Sequence, residues 1–377
     1  MGEWNKLRLN QVLDYEQPTK YIVKTTDYDD SFKTPVLTAG KSFLLGHTNE
    51  ATGIFKDVPA IIFDDFTTAF HYVNFPFKVK SSAMKILKAN EDKADLRFLY
   101  YRMGRVRIDT ALHKRYWISK FSQVEIPLPP LKTQKRIAQI LDDAAALRDK
   151  TQQLLTEYDL LAQSIFLEMF GDPVLNPKGW EVKKLNDITN LITDGKHGNC
   201  NDENNSGYFF ISAKDIRNNK INYTDARQIP KSEFEEVDRR TNLQVGDLVM
   251  VNTGATIGRM AIAKSIPETR KTTFQKSVAV IKTKKALILP LFLQYVFELR
   301  LDTFANKGSG SAIKNLLLSE MKRFKVIVPP LDRQNQFAEK IALIEKQKDL
   351  AKEELKESED LFNCLMQKAF MGELVQT

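Results

Sequence analysis

Hydrophobic positions change period along this chain, and the changes divide it. From residue 137, steps of three and four meet Ile137, Ile140, Ala144, Leu147, Thr151, Leu154, Tyr158, Leu161 and Ile165, eight of nine apolar. From residue 337 the same stepping meets Phe337, Ile341, Ile344, Lys348, Ala351, Leu355, Ser358, Phe362, Leu365 and Ala369, eight of ten apolar. Each series predicts a long helix with a coiled-coil seam. Positions facing away from the second seam (Lys352, Glu353, Glu354, Lys356, Glu357) are charged, as a solvated helix face should be. Elsewhere, short β-rich runs at 60–63, 77–79, 84–87, 208–211, 247–251, 260–263 and 277–281 predict strands. Helices are expected from 95, over 290–301 and over 311–324. The fold class is therefore α+β, with mixed β-sheets and helices in two globular parts.

The two long helices open alike. Pro129-Pro130-Leu131 returns as Pro329-Pro330-Leu331, 200 residues later, followed by Gln134/Gln334, Ile137/Phe337 and Ala138/Ala338. Proline is tolerated in a first helical turn and forces extended backbone before it. At the far ends, Phe170-Gly171-Asp172 is echoed by Met371-Gly372-Glu373, where glycine suits a C-terminal cap. Trp4 with Leu9-Asn10 parallels Trp180 with Leu185-Asn186, and 82–87 parallels 277–282. The chain is a tandem duplication with a period too long for a solenoid. Its expected parts are a globular domain at 1–126, a spacer helix at 127–172, a second domain at 173–326 and a second spacer helix at 327–377. Because the second helix must run back to bury its seam on the first, the pair is expected to be an antiparallel coiled coil with a pseudo-two-fold axis. At 1.5 Å per residue such helices are about 57 Å long.

Charge follows the same division. The net charge of +8 splits as +4 over 1–126, −2 over 127–172, +9 over 173–326 and −3 over 327–377. Two basic globules joined by mildly acidic helices fit a polyanion touched in two places. With 42% hydrophobic residues, and no apolar run approaching the roughly 18 residues of a membrane span, no membrane partner is implied. The first six residues lack a secretory pattern, and Cys200 and Cys364 build neither a disulfide framework nor a zinc site, so the expected location is cytoplasmic.

Catalytic chemistry is not in evidence. His47, His71, His113 and His197 have no second metal ligand at suitable spacing. The run from Thr253 to Gly258 lacks the Gly-Lys-Ser/Thr ending of a phosphate loop and reads as a tight turn between strands. Asn176-Pro177 continues as Lys178-Gly179, which departs from a methyltransferase motif, and Asp64-Asp65 has no third acidic partner at nuclease spacing. A loop or helix cap is the better reading of that pair.

Binding chemistry remains. Arg102, Arg105, Arg107, His113, Lys114 and Arg115 are interleaved with aromatics, including Tyr116, as on phosphate-contacting surfaces. In the second domain, Lys307, Ser309 and Ser311 lead to Lys314, where a helix N-terminus could seat a phosphate. Asn252, Thr253, Thr256 and Arg259 lie between two strands, and Asn suits adenine as Arg suits guanine. Lys196 and Lys214 add two cations. A solvated surface role is the competing reading for each residue alone; as a set they favour nucleic acid.

With the helix starts at 126–131 and 326–331, Gln134, Gln334 and the turn from Gly246 to Gly258, the whole chain resembles the specificity subunits of type I restriction-modification systems. Phe63 to Thr68 and Phe75 to Val79 look like another variety of target recognition domain. The resemblance implies a non-catalytic DNA-recognition subunit whose two domains each read half of a split, asymmetric target. It also implies that Pro130, Leu131, Gln134, Ile137, Ile140, Leu147, Leu154, Leu161, Pro330, Leu331, Gln334, Phe337, Ile341, Ile344, Leu355 and Phe362 set the spacing and dock partners. Those partners are two modification subunits, using S-adenosylmethionine to methylate adenine, and restriction/translocase subunits using ATP and Mg. No cofactor is implied in this chain. An orphan subunit serving methylation alone, or a basic DNA-binding scaffold, are the alternatives.

Overall fold

At each proline pair a strand ends and a long helix begins. In the computed structural model, Glu125–Leu128 and Lys325–Ile327 are strands, and helices start at Leu131 and Leu331. The structure describes residues 4–40, 42–109, 115–307 and 315–375, apart from the side chains of 301–307. Among them are α-helices α1 (Leu96–Met103), α2 (Leu131–Phe170), α3 (Lys231–Thr241), α4 (Pro290–Lys307), α5 (Leu318–Arg323) and α6 (Leu331–Met371). The chain forms two compact units: unit 1 comprises Met1–Gln153 and Lys352–Thr377, unit 2 Leu154–Ala351.

Unit 1 is built around Ala60–Asp64, the strand flanked by Met84–Ala89 and Phe70–Val73 in an antiparallel sheet that ends on Leu13–Glu16. Successive side chains of a strand point to opposite faces. Ile61 and Phe63 accordingly enter a core shared with α1, the start of α2 and the end of α6. Ala60 and Ile62 face a second core over the smaller sheet of Leu44–Thr48, Thr34–Leu37 and Lys78–Val79. Two salt bridges are enclosed here: Lys85 with Asp65 (3.3 Å), at 1% and 2% exposure, and Lys78 with Glu50 (3.1 Å). Ions so placed must be paired, since an isolated buried charge costs several kcal/mol.

Unit 2 repeats this plan. Its four-stranded sheet runs Thr189–Asp194, Val278–Thr283, Leu248–Val251, Met260–Ile262, and its three-stranded sheet Arg227–Gln228, Phe209–Ile211, Thr272–Phe274. Leu248 and Met250 face the helices, Val249 and Val251 the small sheet. A terminal ladder also recurs, Asn5–Arg8 with Glu125–Leu128 and Val182–Lys184 with Lys325–Ile327. Each is followed by a 3-10 turn, at Leu9–Gln11 and Leu185–Ile188. Phe63 to Thr68 thus forms the same hairpin as the glycine-rich turn of unit 2, although the residues differ.

The α6 seam lies where the period places it, with Phe337, Ile341, Ile344, Ala351, Ser358 and Ala369 buried. In α2, Ile137, Leu141, Ala144, Thr151 and Ala162 are buried and Tyr158 and Ile165 partly buried, which corrects two expected positions, Leu147 and Leu161. Leu147 and Leu161 are 45% and 46% exposed, and Ile140 and Leu154 only partly buried. Adjacent apolar residues such as Ile140-Leu141 and Leu161-Ala162 let the sequence fit either phase, and packing selects the second of each. In unit 1 the start of α2 packs on the end of α6: Leu141 shares a core with Met366, and the Arg148 guanidinium lies 4.9 Å from the Phe362 ring centre. In unit 2 the end of α2 meets the start of α6, with Phe166 5.5 Å from Phe337 and Asp159 2.7 Å from Lys348. Within each unit the two helices therefore run antiparallel.

The helix ends explain the tryptophan parallel. Gly171 (φ 76°) and Gly372 (φ 78°) adopt the left-handed cap conformation. Trp180 Nε1 donates to the carbonyl of Phe170 (2.9 Å), while the Trp4 ring lies against Gly372. One helix lies outside the predicted elements, and one expectation needs correction. Helix α3 was not anticipated, because only Phe234 and Val237 mark its apolar face. The helix expected over 311–324 begins at Leu318, after Asn315 has bridged to Thr253. No described helix is long and apolar enough to cross a membrane.

Candidate nucleic-acid interface

In unit 2 a hairpin turn and a short β-ribbon enclose a groove. The turn joins Leu248–Val251 to Met260–Ile262 and contains Gly254 (φ 98°) and Gly258 (φ 90°), conformations that disfavour a Cβ. It is closed by Val251 N–H donating to Arg259 O (2.8 Å) and Gly258 N–H donating to Val251 O (2.9 Å). Opposite it, Ser212 donates to Asp215 Oδ2 from its backbone (2.9 Å) and its hydroxyl (2.7 Å). That fixed corner launches an antiparallel ribbon, Ile216–Arg217 with Lys220–Ile221. Between turn and ribbon lies an open groove of about 600 Å³, lined by Lys214, Arg217, Asn218, Asn219, Thr253, Thr256 and Arg259 among others. Three of its lining residues are cationic and none is acidic. Such a wall attracts a polyanion and carries amides and hydroxyls able to bond base edges.

The structure thus brings together Lys214, Thr253, Thr256 and Arg259 from the sequence candidates, and adds Arg217, Asn218 and Asn219. The signal for the latter was present: Asn-Asn between Ile216 and Ile221 is a hairpin pattern. Asn252 is corrected. It is 4% exposed, its N–H donates to Ser277 O (3.0 Å) and its carbonyl accepts from Leu316 N–H (2.7 Å). It anchors the turn and does not face the groove. Thr253 Oγ1 also donates to Asn315 Oδ1 (3.0 Å). Lys196 lies outside the groove lining, 3.3 Å from Glu236 and 3.7 Å from Glu233. Burial opposes its charge, but these carboxylates outweigh that and raise its pKa.

In unit 1 the basic run separates by depth. Arg105, Arg107 and Arg115 are exposed. Arg102 is half-buried with its guanidinium 5.3 Å from the Phe370 ring centre, and burial followed by the nearby Arg105 charge lowers its pKa. Tyr116 is corrected too: at 1% exposure it belongs to the core. Its N–H donates to Asp65 O (2.7 Å) and that of Trp117 to Asp65 Oδ1 (2.8 Å). Asp64 caps the turn, accepting from Phe66 (2.8 Å) and Thr67 (2.9 Å) N–H. The acidic pair is structural, as the loop-or-cap reading expected. His113, Lys114, Ser309, Ser311, Lys314 and the Lys307 side chain lie outside the described residues. Residues 315–317 precede α5 without helical turns, so they supply no helix N-terminus beside Lys314. Among the described residues, no group of three or more His, Cys, Asp or Glu could hold a metal ion.

A family model described as the type I restriction modification DNA specificity domain matches residues 1–157 and 177–359. The chain belongs to that family. It is 32% identical over 355 residues to the type I restriction enzyme EcoR124I/EcoR124II specificity subunit of Escherichia coli, covering 89% of this chain and 85% of that one. It is 24% identical over 330 residues to the EcoBI specificity subunit of the same species, covering 76% and 68%. Among solved structures, the type I S subunit from M. genitalium superposes with a TM-score of 0.55 at 17% identity, over 97% of this chain and 96% of that one. A chain from a study of assembly and conformational transition in the type I system gives 0.57 at 16% identity, over 99% of each. These two show a shared fold. As a type I specificity subunit the chain is the non-catalytic DNA-recognition component of its complex. Such subunits work with methylase and restriction subunits on DNA.

Proposed function

We propose that this specificity subunit reads a bipartite, asymmetric DNA target, with residues 1–126 reading one half and 173–326 the other. The observation that carries this reading is the cationic groove of unit 2, with its amide and hydroxyl lining, on a plan of terminal ladder, four-stranded sheet and three-stranded sheet that unit 1 shares. Residues 127–172 and 327–377 act as the spacer. Their helices, 40 and 41 residues long, form one antiparallel coiled coil whose length sets the number of unread base pairs between the half-sites.

The same helices dock two modification subunits, which bring S-adenosylmethionine and methylate adenine. Restriction/translocase subunits bring ATP and Mg, and the assembly is cytoplasmic. Leu147, Leu161, Leu343 and Leu350 support a docking role, because the antiparallel packing leaves them exposed on the helix surface.

The test is binding of the subunit, assembled with its modification subunits, to target and scrambled duplexes over a range of salt. Preference for the target should persist as rising salt suppresses phosphate contacts. A loss of all preference at high salt would show a basic scaffold that does not read sequence.

A further inference from the structure

The ribbon Ile216–Ile221 has the build of a base-reading element. Its two strands are joined by Asn218 and Asn219 alone, with φ of 52° and 56°. Two left-handed residues in a two-residue hairpin make a tight turn whose twist matches its strands. The root is fixed: Ile216 is fully buried and Ile221 packs on the same core, with Val249, Val251 and Phe274. Asn222 N–H donates to Asp215 O (2.8 Å) and Arg217 Nε to Lys214 O (2.6 Å). The tip is free. Arg217, Asn218, Asn219 and Lys220 are consecutive exposed residues, and neither asparagine side-chain amide has a hydrogen-bond partner among the described residues. The corresponding connection in unit 1, residues 38–43 between Thr34–Leu37 and Leu44–Thr48, carries no such ribbon among its described residues. There Phe43 packs 4.6 Å from His71, which bonds Gly40 O at 3.1 Å.

The B-DNA major groove is about 12 Å wide and admits a two-stranded β-ribbon. A rigid ribbon tipped with two free amides and flanked by cations meets that requirement, and an asparagine amide matches the N6 donor and N7 acceptor of adenine. We propose that this ribbon enters the major groove of the second half-site and that the Asn218–Asn219 tip reads an A·T base pair there. Arg217, Lys214 and Arg259 hold the flanking phosphates. This inference rests on the proposed function, since it assumes that unit 2 reads DNA.

The experiment maps methylated sites made by the complete modification complex. Asn218→Gly and Asn219→Gly keep the left-handed turn while removing the amide. At least one should lower discrimination at a single base pair of one half-site by about ten- to a hundredfold, leaving the other half-site intact. At the same position the corresponding Asp variant should shift preference from adenine towards cytosine, whose N4 donates to a carboxylate. Arg217→Ala should weaken binding alike on all sequences and reduce the salt slope by about 1. If the four asparagine variants methylate the parental sequence with undiminished discrimination, or weaken all sequences alike, the ribbon is not the reader. Loss of all sequence preference at high salt by the unaltered complex would instead overturn the underlying DNA-reading assignment.

Discussion

Gln134 and Gln334, 200 residues apart, make the same three hydrogen bonds. Gln134 Oε1 accepts Asp95 N–H (2.9 Å), while Nε2 donates to Lys93 O (3.1 Å) and Pro129 O (2.8 Å). Gln334 accepts Leu289 N–H (2.8 Å) and donates to Leu287 O (3.0 Å) and Pro329 O (2.8 Å). Both side chains are fully buried. Each clamps the loop ahead of an earlier helix, α1 or α4, to the start of a long helix. The repeated Pro-Pro-Leu-x-x-Gln is thus the joint between each globular part and its spacer helix. Replacing either glutamine with alanine strands three backbone groups and should destabilise its own unit by roughly 2–4 kcal/mol. Hydrogen exchange should accelerate at the Asp95 amide in Gln134→Ala and at the Leu289 amide in Gln334→Ala. Equal acceleration at both sites in either variant would mean the joints do not act separately.

The corrected α2 phase is testable with two leucines six residues apart. Leu141 is fully buried, whereas Leu147 is 45% exposed. Leu141→Ala should cost about 3 kcal/mol, and Leu147→Ala less than about 1 kcal/mol. Urea denaturation of the two variants decides between the phases; a larger cost at Leu147 would restore the phase expected from the sequence.

Asp65 serves two partners at once. Its carboxylate pairs with buried Lys85 and accepts the Trp117 N–H. Asp65→Ala should therefore destabilise the protein by about 3–5 kcal/mol, chiefly because Lys85 is left charged and enclosed. Adding Lys85→Met should recover part of that loss in thermal denaturation. No recovery would place the whole cost in the lost Trp117 anchor.

The two cysteines should react unequally. Burial, then the Glu233 carboxylate beside it, pushes the Cys200 thiol up to about 12, whereas Cys364 is exposed. A maleimide at neutral pH should label one thiol in the native protein and both in denaturant. From pH 9 to about 12 the unfolded chain loses the Cys200 proton while the folded one keeps it, so the thiol's contribution to stability falls as pH rises. Rapid native labelling of Cys200 would contradict its enclosure.

Much of the fold was legible in the sequence because the joints are local. The proline pairs, the capping glycines at 171 and 372, and the α6 seam each depend on residues close in the chain. The α2 phase was not legible, because Ile140-Leu141 and Leu161-Ala162 offer two acceptable apolar stripes, and only tertiary packing chooses between them. The site was half legible. Arg259 and Thr256 stood out as polar residues between strands. Tyr116 was misread because an aromatic beside arginines looks the same whether it faces solvent or, as here, a core held by Asp65 across 51 residues of chain. Arg217, Asn218 and Asn219 acquire meaning only when the fold sets them opposite the 253–259 turn.

The most direct test of the central claim exchanges residues 173–326 for the second domain of another specificity subunit and maps methylation by the assembled complex. Independent reading by two domains predicts a new sequence in one half-site, with the other half-site and the spacer length unchanged. Alteration of both half-sites, or of neither, would contradict it.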